Sequence, residues 1–170
     1  TDLFDVTNGI IPSYYLKDGK TYKVVEIGEG AFSGSEGNNT NYDLTKNITK
    51  ITIPNTIETI GRAAFENLPN ITKVNIPESV TTINPYAFAN CSSLSNIYFN
   101  NKEGIIVIND YAFHSIAENA KINVINTEMY KYLNDTIFIN NSTSIVNQKS
   151  SKEVINSWTV GDSIVATFYS

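Results

Sequence analysis

A hexapeptide that keeps returning constrains this chain more than any other feature. IGEGAF stands at 27–32, IGRAAF at 60–65, INPYAF at 83–88 and INDYAF at 108–113. Their phenylalanines Phe32, Phe65, Phe88 and Phe113 are 33, 23 and 25 residues apart, and Ile27, Ile60, Ile83 and Ile108 keep the same intervals. A second set runs between them: ITKITIP at 48–54, ITKVNIP at 71–77, LSNIYFN at 94–100 and NAKINVI at 119–125. Nine residues separate Phe65 from Val74, Phe88 from Ile97 and Phe113 from Ile122. Two periodic signals locked at one offset mark a stacked repeat, in which no unit buries its apolar face alone.

Each repeat position has a physical task. Ile51/Ile53, Val74/Ile76 and Ile97/Phe99 alternate with polar residues, the period of a strand with one buried face. Pro54 and Pro77 end that strand, because proline cannot donate to a continuing ladder. Val24/Ile27, Ile57/Ile60 and Val80/Ile83 form a second apolar pair after a turn. Gly28, Gly61, Asn84 and Asn109 share one position, and those residue types predict a bend with positive φ there. The Ala that follows leaves room for the neighbouring repeat, and the Phe fills the interior. Departures from the period fall between elements: a polar stretch, GSEGNNTNYDLTKN at 34–47, reads as a surface loop, and FNNKEGI at 99–105 adds two residues.

A 23-residue unit of this form closely resembles the BspA-like leucine-rich repeat. ITIPNTIETIGRAAFENL (51–68) and VNIPESVTTINPYAFANC (74–91) are near-ideal copies. IYFNNKEGIIVINDYAFHSI (97–116) departs in its turn, and YKVVEIGEGAFSG (22–34) carries only the later half. The resemblance covers roughly residues 22–126. It implies a right-handed leucine-rich-repeat solenoid of about four to five coils of ~23 residues, built of short strands and turns with little helix. It also implies a non-catalytic adhesion and protein-interaction module, extracellular or on a cell surface, with host-matrix or cell-surface proteins as partners.

The expected organisation places an N-terminal cap or hairpin at 1–23, repeats at 24–126, a closing coil with a short helix at 127–140, and a cap or following β segment at 141–170. IIPSYYLKDGKTYKVV (10–25) reads as a hairpin turning at Asp18-Gly19. In KINVINTEMYKYLNDTIF (121–138), Thr127 can cap a helix whose Met129, Tyr130 and Leu133 share one side. The tail at 144–170 has strand-like runs around Trp158 and at 164–169 but no repeat register.

Composition narrows the chemistry. At 41% hydrophobic and 17% charged residues the chain folds, and no apolar run approaches the ~20 residues of a membrane helix. A net charge of −5 with scattered Lys and Arg disfavours nucleic acid. One cysteine excludes an internal disulfide and a cysteine-built metal site. Cys91 falls in the slot of Leu68 and Ile116, a buried apolar position, whereas His114 falls in the solvated slot of Ser33, Glu66 and Ala89. Glu26, Glu58 and Asp110 occupy different slots and form no carboxylate pair. The reading is of a chain with no catalytic residues, no metal and no cofactor.

What remains is a surface. The outward positions of the ladder strands align as Lys50, Lys73, Asn96 and Lys121, beside Thr52, Asn75, Tyr98 and Asn123. This strip is the candidate protein-binding face, with Tyr98 as its exposed aromatic anchor. A structural spacer within a larger surface protein is the alternative, and a non-catalytic part of a surface enzyme the more distant one.

Overall fold

The computed structural model describes residues 9–34, 45, 47–135, 144–147, 154–159 and 165–169. Most of the polar stretch 34–47 lies outside the described residues, as do residues 136–140 of the expected closing coil. Short strands dominate: β1 (Tyr14–Lys17), β2 (Lys20–Lys23), β3 (Glu26–Ile27), β4 (Thr59–Ile60), β5 (Lys73–Ile76), β6 (Thr82–Ile83), β7 (Asn96–Phe99), β8 (Val107–Ile108) and β9 (Lys121–Val124). A nine-residue helix α1 (Thr127–Asp135) follows, then β10 (Ser144–Asn147), β11 (Val154–Thr159) and β12 (Val165–Tyr169).

The two sequence periods become two parallel sheets. The IxIP-type segments stack as β5-β7-β9-β10, and the residues entering the AF motif stack as β3-β4-β6-β8. Register follows the repeat: Val74 pairs with Ile97 and Ile97 with Ile122, while Ile27, Ile60, Ile83 and Ile108 align in the second sheet. The strands alternate buried and outward residues as their period of two requires; β5 buries Val74 and Ile76 and exposes Lys73 and Asn75.

A third set of cross-repeat hydrogen bonds ties the AF turns. The Phe32 N–H donates to the Ala64 carbonyl at 2.7 Å, Phe65 to Ala87 at 2.8 Å and Phe88 to Ala112 at 2.7 Å. Behind them the rings of Phe32, Phe65, Phe88 and Phe113 stack with centroid spacings of 5.3, 5.0 and 5.2 Å. One hydrophobic cluster runs from Ile11 to Leu133, the continuous core that stacking predicts.

The positive-φ residues correct one expectation. They are not Gly28, Gly61, Asn84 and Asn109 but the residues two positions on: Gly30, Ala63, Tyr86 and Tyr111, with φ between 50° and 62°. Asn67, Asn90 and Ser115 repeat the conformation two residues past Phe65, Phe88 and Phe113. Each left-handed residue turns alternate N–H groups to one side, so that Ala63, Phe65 and Asn67 all donate to the next repeat. The Gly/Asn position is selected by stacking instead. A Cβ on Gly61 would sit 2.5 Å from the Ile27 carbonyl oxygen and 2.8 Å from the Gly28 carbonyl carbon. Where asparagine takes the slot it binds along the stack: Asn109 Nδ2 donates to the Ile83 carbonyl at 3.2 Å and to Asn84 Oδ1 at 3.3 Å.

Both ends differ from their sequence reading. The β1–β2 hairpin forms with Asp18 and Gly19 at φ 50° and 73°, but all eight of its strand residues are exposed, so it does not cover the core. Gly9–Pro12 (GIIP) instead supplies the strand half missing from the first repeat: Ile10 bridges Thr52 in parallel, the Thr52 N–H donates to the Gly9 carbonyl, and Ile11 is buried. The Val24 N–H donates to Ser13 as Ile57 does to Pro54 and Val80 to Pro77. The hairpin is thus a projecting insertion within that repeat. At the other end, β10 continues the first sheet, with Ile145 paired to Ile122, 23 residues on. The tail therefore regains register at 144–147, hidden in the sequence because α1 replaces the landmarks between. Asn126 rather than Thr127 caps α1, its Oδ1 accepting the Met129 N–H at 2.9 Å. Met129, Tyr130 and Leu133 are buried as expected, and the Tyr132 hydroxyl accepts the Ile108 N–H at the edge of the second sheet.

Candidate interaction surface

The outward positions of the first sheet form a short strip. Lys73, Asn96 and Lys121 lie in register, as do Asn75, Tyr98 and Asn123. Lys50 and Thr52 are exposed one repeat earlier. The strip is basic at its margin, with Lys50, Lys73 and Lys121 all exposed on a chain whose net charge is −5.

Two members differ from the sequence reading. Tyr98 is half-buried, and the Lys73 ammonium lies 4.5 Å from its ring centroid. A cation over the ring at a surface site contributes on the order of 0.5–1 kcal/mol and fixes the ring before any partner arrives. Asn123 is buried: its Nδ2 donates to the Ile97 carbonyl at 3.2 Å, and β10 pairs alongside it. It belongs to the scaffold, because the sheet has a further strand where the sequence showed an end. The strip therefore comprises Lys50, Thr52, Lys73, Asn75 and Lys121, all exposed, with Asn96 and Tyr98 half-buried between them.

The residues weighed for chemistry are scattered. The Cys91 side chain is sealed in the core, its Sγ donating to the Phe65 carbonyl at 3.1 Å, and burial pushes its thiol up to about 12. His114 is exposed, edge-on to Tyr111 at 5.6 Å, so no nucleophile–base pair forms. Glu58 is bound to Lys23 at 3.0 Å, while Glu26 and Asp110 are exposed on separate repeats. Among the described residues no three His, Cys, Asp or Glu side chains gather to hold a metal, and no helix is long and apolar enough to cross a membrane.

A second surface row escaped the sequence reading. Tyr86 and Tyr111 stack at 5.3 Å, Arg62 lies 5.0 Å from the centroid of Tyr86, and Glu29 reaches Arg62 at 3.8 Å. Its signal was present in the register, since Tyr86 and Tyr111 each stand two residues before a stacked Phe. The row decorates the AF turns, with Tyr86 and Tyr111 on positive-φ positions.

Comparison with known proteins agrees with this geometry. The BspA type leucine rich repeat region matches in six copies spanning residues 26–163, beyond the stretch legible by eye and across β10 and β11. No curated protein and no solved structure matches the chain. Parallel ladders, the stacked phenylalanines and that match lead to one conclusion: the chain belongs to the BspA-type leucine-rich-repeat family.

Proposed function

We propose that this chain is a non-catalytic protein-interaction module of a secreted or cell-surface protein, built as a right-handed solenoid of about four to five coils. It binds through the exposed strip of the first sheet. The observation that carries the reading is the Lys73–Tyr98 pair: an aromatic ring, held by a cation, at the centre of a polar face on a scaffold hydrogen-bonded along three sides. Tyrosine in such a setting is a favoured anchor at protein interfaces.

The size of the strip sets the mode of binding. Strands ~4.8 Å apart give a ladder on the order of 15–20 Å long. Its area is a few hundred Å², below the roughly 800 Å² per partner of a standard interface. Affinity at one strip is therefore low, and useful adhesion comes from many copies acting together. The test displays the chain on beads and measures capture on immobilised extracellular-matrix proteins, against the free monomer. Strong capture by beads, weak binding by monomer, and a loss of at least about tenfold in Lys73→Ala/Tyr98→Ala support the proposal. Equal capture by wild type and variant assigns the chain the role of a spacer.

A further inference from the structure

The β1–β2 hairpin is a part of the first repeat that the stack does not need. Later repeats pass from the proline to the next apolar residue directly, Pro54 to Ile57 and Pro77 to Val80, whereas Pro12 reaches Val24 by way of the hairpin. It is exposed on both faces, and Tyr14, Tyr15, Leu16 and Tyr22 are all exposed apolar residues.

Register places four of its side chains on one face. Tyr15 pairs with Tyr22 and Lys17 with Lys20, and positions two apart on a strand point the same way. The tyrosine rings stack at 5.3 Å and 22°, a platform already ordered. The two lysines are directly opposite each other, an arrangement that costs stability unless an anion lies between them. Lys23, at the hairpin's base, is bound to Glu58, whereas Lys17 and Lys20 flank the single carboxylate of Asp18 and leave a net positive charge at the tip. A four-residue hairpin extends ~13 Å, beyond the Debye length of about 8 Å at physiological salt, which screens the tip from the acidic body.

We propose that this face binds an acidic polysaccharide, with sugar rings packed on Tyr15 and Tyr22 and a sulfate or carboxylate between Lys17 and Lys20. The four side chains span ~7 Å along the strands and ~5 Å across, the footprint of one or two sugar rings. That is far too small for a stable protein interface, yet sufficient for a polymer that repeats its charge. A membrane is disfavoured because the tip is the polar Lys17-Asp18-Gly19-Lys20, with the apolar residues behind it. Single-stranded nucleic acid needs a longer run of cations to track its backbone than the Lys17–Lys20 pair supplies.

The test passes the whole chain over immobilised heparin, hyaluronan and neutral dextran, with a single-stranded oligonucleotide and phosphatidylserine vesicles as further arms. Retention on heparin, on hyaluronan or on both, absent from dextran, is expected; which of the two retains it tells sulfate from carboxylate. Lys17→Ala/Lys20→Ala reduces retention at least about tenfold, Tyr15→Ser/Tyr22→Ser several-fold, and Lys50→Ala/Lys73→Ala leaves it unchanged. Each variant is checked for an unchanged unfolding transition, which reports the repeat core independently of the hairpin. No retention on either acidic polysaccharide overturns the proposal. So does retention insensitive to both hairpin doubles, loss on changing the ladder lysines, or equal retention on oligonucleotide or vesicles.

Discussion

Gly61 and Gly28 occupy the same repeat position and face different surroundings. At Gly61 a Cβ meets backbone atoms of Ile27 and Gly28, which cannot swing aside, whereas at Gly28 it meets nothing within 4 Å. Gly61→Ala is therefore expected to cost about 1–3 kcal/mol and Gly28→Ala within about 0.5 kcal/mol, read from urea unfolding midpoints. Equal effects would return the position to a backbone-conformation role. Cys91 gives a second test at this scale. Its thiol is raised from 9.0 to about 12, first by burial, so the folded state holds the proton more tightly than the unfolded chain. The contribution to stability is then full below about pH 9 and is lost as pH rises toward about 12. Unfolding midpoints measured from about pH 8 to about pH 11 should fall more steeply for wild type than for Cys91→Val. Parallel curves would place the ionisation elsewhere.

The AF turn, the strand and the helix were legible to different degrees. The turn's Ile and Phe were readable because packing enforces their spacing: Ile60, Ile83, Phe65, Phe88 and Phe113 are all fully buried. Its backbone was not readable, because Ala63, Tyr86 and Tyr111 hold a left-handed conformation that their side chains disfavour. Cross-repeat hydrogen bonds impose that conformation, and a single repeat's sequence does not display them. The same reason hid β10 and the strand role of Gly9–Pro12: pairing with a neighbour defines both. Of the candidate site, Lys73 and Tyr98 were legible by register, but the burial of Asn123 depended on the unseen strand beside it. The phenylalanine stack carries the prediction at this level. Phe88 is stacked between Phe65 and Phe113, so Phe88→Ala should cost about 3–5 kcal/mol by denaturant titration. Phe32 has one stacked phenylalanine neighbour among the described residues, and Phe32→Ala should fall at or below the low end of that range. A larger loss at Phe32 would contradict a core that is continuous through the middle repeats.

Across the whole molecule, the sequence devotes its recurring residues to the scaffold and leaves variation to the outward positions. Ile, Ala and Phe repeat because stacking demands them, while Lys50, Lys73 and Lys121 give way to Asn96 on the strip, and Thr52 and Asn75 to Tyr98. Variation on a constant frame is how a repeat protein changes what it touches without changing how it folds. We propose that binding belongs to these variable positions and not to the recurring AF motif. The most direct measurement is a titration of the isotope-labelled chain with the matrix protein that captures it, followed by backbone amide shifts. Perturbations clustered at 50–52, 73–75, 96–98 and 121, with 60–65, 83–88 and 108–113 unmoved, are the result predicted. Perturbations centred on those three motif segments would contradict it.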